Sequence, residues 1–268
     1  MEKAKEFLKL SSEESESVSR LTIHPHRAGQ ESSFYEDFAV RGIRVDRVEP
    51  GFVSCTFRVP PRLTDRTGKL ASGAIANIVD IAGGCIVHVE GLPMNVSVDI
   101  SISFLSTARP DDELEITSRA LGQRGGYFGT IVVIRNKTTG EIIAEGRHSL
   151  FVLLPQQCAA TSYLKGVNGL YFFEDRTRKL ASGAIANIVD IAGGCVVHVE
   201  GLPFNVSVHI SISFLSTARP DDELEITSRA LGQRGGYFGT VVVIRNKTTG
   251  EIIAEGRHSL FGKHYSKL

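Results

Sequence analysis

Residues 72–90 read SGAIANIVDIAGGCIVHVE, and residues 182–200 repeat them with one change, Ile86 to Val196. Ser72 is placed to N-cap a helix and Gly91 to stop it. Ala74, Ile75, Ala76, Ile78, Val79, Ile81, Ala82 and Cys85 leave such a helix apolar on nearly every side. A helix of that kind belongs inside a protein. What surrounds it reads as strand. Gly42 to Glu49 alternates through Ile43, Val45 and Val48, and Glu49-Pro50-Gly51 turns it into Phe52 to Pro60. After the helix come Asn95 to Leu105, Glu113 to Leu121, Tyr127 to Arg135 and Glu141 to Phe151, separated by turn residues. The order predicts an α+β fold in which one antiparallel sheet wraps a long central helix.

The repeat extends well beyond the helix. Asp65–Phe151 matches Asp175–Phe261 with five differences in 87 positions: Gly68/Arg178, Ile86/Val196, Met94/Phe204, Asp99/His209 and Ile131/Val241. A period of 110 residues is too long for a solenoid and marks a duplicated domain. The copies are unequal. Phe34–Thr64 precedes the first, and nothing similar precedes the second. The expected organisation is a flexible segment 1–33, a complete domain 34–151, a linker 152–174, an N-terminally truncated copy 175–262 and a tail 263–268.

The chain has 268 residues, 42% apolar and 22% charged, with 30 basic and 30 acidic side chains. Zero net charge argues against a nucleic-acid binder. No apolar run reaches the length of a membrane span, and the first residues lack the apolar centre of a signal peptide. Cys55, Cys85, Cys158 and Cys195 show no zinc or disulfide spacing and read as free thiols. The histidines lack metal-ligand spacing, so no metal is expected. The terminal Ser266-Lys267-Leu268 reads as a peroxisomal address, with the peroxisomal import receptor as a partner.

Asp80, repeated as Asp190, is the residue most suggestive of chemistry. An unpaired carboxylate in an apolar helix is costly, and burial can tune it into a general base. The small residues Gly68–Gly73 at the helix start leave backbone N–H groups for an oxyanion. Ser72 and Asp80 lie about 12 Å apart along a helix. One helix therefore cannot bring both to the same carbonyl carbon. Two antiparallel helices related by a two-fold axis can, each start facing the other's Asp. Copy 1 and copy 2 can form such a pair within the chain, or the chain can be a homo-oligomer. Ser97 (Ser207 in copy 2) can hold a water, although a solvent-facing serine is the plainer reading. Arg124, Gly125, Arg147 and His148 can meet the phosphates of a ligand, although a solvated surface is the default.

Three runs carry a resemblance: Thr64–Asp80, Val96–Asp99 and Lys137–His148 (KTTGEIIAEGRH). They resemble the hotdog-fold acyl-CoA thioesterases of the acyl-coenzyme A thioesterase 13 and phenylacetyl-CoA thioesterase type, in a plant-like version. The resemblance implies a double-hotdog arrangement with a truncated second copy, and hydrolysis of acyl-CoA to free acid and CoA. It implies that Asp80 and Asp190 activate water, helped by Ser97 and Ser207. It implies that backbone N–H groups at Ser72 and Ser182, beside Gly73, polarise the thioester carbonyl from the other half. Asp65 and Asp175 stand where the family has an assisting Asn, and Ala71 where it has a His. No cofactor is implied beyond the CoA of the substrate. A non-hydrolytic acyl-CoA binding module and an inactive fusion product are the alternatives.

Overall fold

A computed structural model describes residues 34–87, 95–151, 179–198 and 205–262, with Glu13, Glu16 and Arg20 besides. The expected linker 152–174, the tail 263–268 with its terminal tripeptide, nearly all of 1–33 and Asp175 lie outside the described residues.

The elements run α1 (Phe34–Val40), β1 (Arg44–Glu49), β2 (Phe52–Arg58), a 3-10 turn at Pro61–Leu63, α2 (Ser72–Cys85), β3 (Val96–Phe104), β4 (Glu113–Arg124), β5 (Tyr127–Asn136) and β6 (Ile142–Phe151). The second copy supplies α3 (Ser182–Val196), β7 (Val206–Phe214), β8 (Leu224–Arg234), β9 (Tyr237–Asn246) and β10 (Ile252–Phe261). All ten strands join one antiparallel sheet in the order β1-β2-β4-β5-β6-β3-β7-β10-β9-β8. The seam between copies is β3 against β7, with Ser101 opposite Ser211. Both helices lie against this sheet, and one apolar core draws on both copies. This is the double-hotdog arrangement with a shortened second half.

Helix α2 differs in detail from the expected Ser72–Glu90. It ends at Cys85, and Ser72 is its first helical residue rather than its cap. The cap is Ala71, extended at φ −66 and ψ 142, with no side-chain hydrogen bond to the helix. Alanine has no acceptor to offer, so the first N–H groups keep their hydrogen-bonding capacity. Helix α3 begins in the same way at Ala181.

Glycine sets how closely the parts approach. A Cβ on Gly73 would collide with the Asn187 side chain of α3, and one on Gly183 with Asn77 of α2. The start of each helix therefore meets the middle of the other, and the pair is antiparallel. Extending that register puts Asp80 level with Leu180, just before the start of α3, and Asp190 level with Leu70. The geometry inferred from the 12 Å spacing is the geometry of the helix pair. Gly146 does the same for sheet and helix, since a Cβ there would meet Val79 at 2.5 Å.

Among the described residues the first copy is covered where the second is bare. Strand β2 pairs with β4 and buries Val53, Cys55 and Phe57. Strand β1 pairs outside β2 with every residue exposed, so the alternation of Val45 and Val48 does not mark a buried face. A register shift between Val45 and Arg47 accompanies this. Among the described residues β8 has no neighbour beyond β9 and forms an open edge. Helix α1 packs on α2 and is fastened by Arg62, whose Nε donates to the Phe38 carbonyl (2.8 Å) and Nη2 to that of Arg41 (2.6 Å).

Candidate active site

Asp80 points from the middle of α2 toward β3 and β6. Ser97 Oγ donates to Asp80 Oδ1 at 2.8 Å, and His148 Nε2 lies 3.0 Å from Ser97 Oγ and 3.4 Å from Asp80 Oδ1. The second copy repeats the chain with Ser207, Asp190 and His258 at 2.7, 3.0 and 3.4 Å. Ser97 is thus engaged with the carboxylate and does not simply face solvent. Its hydroxyl hydrogen goes to Asp80, so it accepts from the imidazole: His148 Nε2–H to Ser97 to Asp80.

Other observations fix that tautomer. His148 is 1% exposed, and its Nδ1 has no hydrogen-bond partner. A bare ring nitrogen without a proton is cheaper to bury than an N–H without an acceptor. Burial pushes both His148 and His258 down to about 3, and His209 adds to this for His258, so the rings are neutral. Gly83 makes room for the ring. A Cβ there would sit 2.8 Å from His148 Nδ1 and 2.9 Å from Thr130 Oγ1, and Gly193 faces His258 in the same way.

Burial raises Asp190 to about 6 against the opposing hydrogen bond from Ser207, and the negative charge of Asp65 raises it further. Asp65 belongs to copy 1 and Asp190 to copy 2, so the loop before α2 reaches the site on α3. Arg66 likewise acts on Cys195 of α3. Each site is therefore composite. The Asp190 site takes its helix start from copy 1, and the Asp80 site from copy 2. At that start Ser182, Gly183 and Ala184 precede the first intrahelical bond, from Ile185 N to the Ala181 carbonyl (3.1 Å).

Several expectations need correction. His148 does not face a phosphate at the surface. On β6 the alternation sends Ala144, Gly146, His148 and Leu150 inward and Arg147 outward, so His148 and Arg147 cannot share a ligand face. Arg147 is exposed and 3.7 Å from Glu145. Arg124 is exposed at the end of β4, and Gly125 makes the tight turn after it at φ +60. In the sheet register Arg124 shares a row with Tyr127, Phe151 and Val96, and so lies three strands away from Val96, the neighbour of Ser97. Asp65 does not act as an assisting amide would. Its Oδ1 accepts from Thr67 N (2.7 Å), Thr67 Oγ1 (2.8 Å) and Lys69 N (3.1 Å), so the carboxylate holds its own turn. Cys55 and Cys195 are free thiols that burial raises to about 11, and neither is an activated nucleophile. Among the described residues no group of His, Cys, Asp and Glu is arranged to hold a metal, and no helix is long and apolar enough to cross a membrane.

Comparison with known proteins gives a consistent answer. The family profile of the thioesterase superfamily matches the chain twice, over residues 67–143 and 180–253, together more than half its length. Acyl-coenzyme A thioesterase 13 of Homo sapiens is 36% identical over 101 residues, covering 37% of this chain and 72% of that protein. The protein of the same name from Mus musculus is 35% identical over the same length. The 12:0-ACP thioesterase from Umbellularia californica superposes with a TM-score of 0.62 over 79% of this chain and 94% of its own. At 10% identity that likeness speaks for the fold alone, and it spans both repeats. With a profile match in each copy, a hotdog sheet around paired helices and curated thioesterases among its relatives, the chain belongs to the thioesterase superfamily and is a thioester hydrolase.

Proposed function

We propose that this protein hydrolyses acyl-CoA to the free acid and CoA at two composite sites, with Asp80 and Asp190 as general bases. The observation that carries the reading is the hydrogen-bonded Asp–Ser–His chain in each copy, set level with the start of the other copy's helix. The acyl-CoA class is supported by the name of the human and mouse relatives.

Ser97 occupies one lone pair of Asp80 Oδ1 and turns the carboxylate toward the attacking water. The neutral His148 holds Ser97 by donating to it, and takes no proton itself. The carboxylate accepts a proton as the water oxygen attacks the thioester carbonyl carbon. The carbonyl oxygen becomes an oxyanion, met by the N–H groups of Ser182 and Gly183 at the uncapped start of α3. The tetrahedral intermediate collapses with loss of the CoA thiolate, which receives the proton from Asp80. Asp190, Ser207, His258 and the start of α2 at Ser72 and Gly73 repeat the steps. Loss of the family's His side chain at Ala71 leaves the backbone donors in place.

The test is thiol release from a panel of acyl-CoAs by the purified chain, beside the double variant Asp80→Asn, Asp190→Asn. Turnover by the wild type and its loss in the double variant is the expected result. Acyl-CoA binding without turnover by the wild type overturns the hydrolytic mechanism in favour of a binding module. We further propose delivery to peroxisomes through Ser266-Lys267-Leu268, to be tested by localising a fluorescent fusion with and without those three residues.

A further inference from the structure

The two sites have the same chemistry and different walls. Helix α1 precedes the first copy alone and lies on α2. Its Phe34 and Phe38 stack at 6.0 Å on the exposed side, while Tyr35 turns inward and is 9% exposed. Tyr35 packs against Ala181 and Ala184, the cap and first turn of α3, with Leu180 beside them. Asp80 is level with Leu180 in the helix register, so the ring stands at the end of the helix pair that holds Asp80. Burial, and secondly the charge of Asp80, raise the Tyr35 phenol, which agrees with that placement.

Among the described residues the other site lacks this wall. The position one repeat after Tyr35 is Glu145, which lies in β6. No helix of the described residues stands over α3 as α1 stands over α2. The alanines record the difference. Ala181 and Ala184 are 5% and 1% exposed, whereas their counterparts Ala71 and Ala74 at the Asp190 site are only half-buried. A wall made of a phenol ring, two alanines and a leucine suits a hydrocarbon. It does not suit the polyanionic CoA, so the acyl group is the part of the substrate that meets it.

We propose that Tyr35 is a specificity-determining residue: its ring limits the length of the acyl group taken at the Asp80 site, while the Asp190 site, where no described residue stands in its place, takes longer chains. This rests on the acyl-CoA hydrolase reading above. It makes one chain a thioesterase with two length preferences and couples the choice to a helix outside the repeated unit.

The experiment isolates one site at a time. Thiol release is measured with straight-chain acyl-CoAs of increasing length in the full-length chain carrying Asp190→Asn, where the Asp80 site alone works. Tyr35→Ala should raise kcat/KM for long chains relative to short ones by about tenfold or more, the order that a few methylenes contribute in an apolar pocket. Tyr35→Trp should move the preference toward shorter chains. The shift from Tyr35→Ala should disappear when Asp80→Asn replaces Asp190→Asn. If Tyr35→Ala does not fold, Tyr35→Leu gives the same comparison with a smaller opening. An unchanged length profile in the Asp190→Asn background overturns the proposal, as does a shift that persists with Asp80→Asn. If the wild type releases no thiol from any member of the series, the hydrolase reading itself fails, which is a distinct outcome.

Discussion

Strands β4 and β8 share the sequence LEITSRALGQR, at 114–124 and 224–234, yet they live in different surroundings. Ile116 is 1% exposed and Ile226 46%. Leu114 is fully buried, while Leu224 is only half-buried. Helix α3 shows the same contrast, with Ile191 and Val196 40% and 41% exposed. The backbone pairing inside each half is the same, residue for residue. What differs is β2, which lies beside β4 and has no counterpart beside β8 among the described residues. Identical residues thus build the same strand, and the neighbour decides whether its apolar face stabilises anything.

Matched substitutions in the two halves test how far this contrast goes. The largest effect belongs to the aspartates. Removing a general base costs about 10²–10⁴ in rate at its own site. Asp80→Asn and Asp190→Asn singly should each leave the activity of the other site, and the double variant should lose both, measured as thiol release. If one single variant abolishes all turnover, the halves are not independent sites.

The next effect separates the halves most directly. Ile116→Ala should destabilise by about 2–5 kcal/mol, as expected for a buried isoleucine with a residual cavity. Ile226→Ala, the same change in the same sequence, should cost less than about 1.5 kcal/mol because the side chain is already half in water. Chemical denaturation of the two variants checks this, and equal losses would mean that β8 is covered in solution. By contrast, Gly83→Ala and Gly193→Ala should behave alike. Each places a methyl group against a histidine ring and costs about 1–3 kcal/mol. Each should also slow its site by moving His148 or His258 off Ser97 or Ser207.

A change of pH acts on both halves together. The imidazoles of His148 and His258 fall from 6.5 to about 3 on folding, so the unfolded chain binds protons that the folded chain refuses. Their contribution is fully present above 6.5 and is lost as pH falls from there toward 3, by at most about 1.4 kcal/mol per pH unit for each ring. Asp190, raised to about 6, acts in the opposite direction between 6 and 3.8 and offsets part of the loss. Midpoints of thermal unfolding should fall on acidification below 6.5, and less so in His148→Gln. Turnover in the Asp80→Asn background should decline as pH falls through about 6, where Asp190 gains its proton.

Much of this architecture was legible in the residues themselves. The all-round apolar helix, the strand runs and the 12 Å gap between helix start and aspartate lead to an antiparallel helix pair inside one sheet. Other features follow from placement in space. His148 sits beside an arginine in the sequence, and only the inward alternation of β6 separates them. Reading Ala144, Gly146, His148 and Leu150 as one face would have put the imidazole inside. The Asp80-x-x-Gly83 spacing was likewise visible, since residues three apart share a helix face. Its meaning depends on which strand crosses that face. The role of Tyr35 was not legible at all, because its contacts are with Ala181 and Ala184, about 150 residues away. Serine is a common N-cap, so the sequence alone points to Ser72. Ala71 takes the position instead, which leaves the helix start open to a ligand.

The seam of β3 against β7 has one more consequence. When two separate polypeptides share their sites, each site exists only while the complex does, and dilution removes it. Here the partner helix is carried on the same polypeptide, so its effective concentration does not fall on dilution. The sites therefore persist at any abundance of the protein. The covalent join also breaks the symmetry that two identical subunits would impose. A substitution in a homodimer enters both sites at once, whereas here Asp99 and His209 already differ across the seam and each site is free to drift alone.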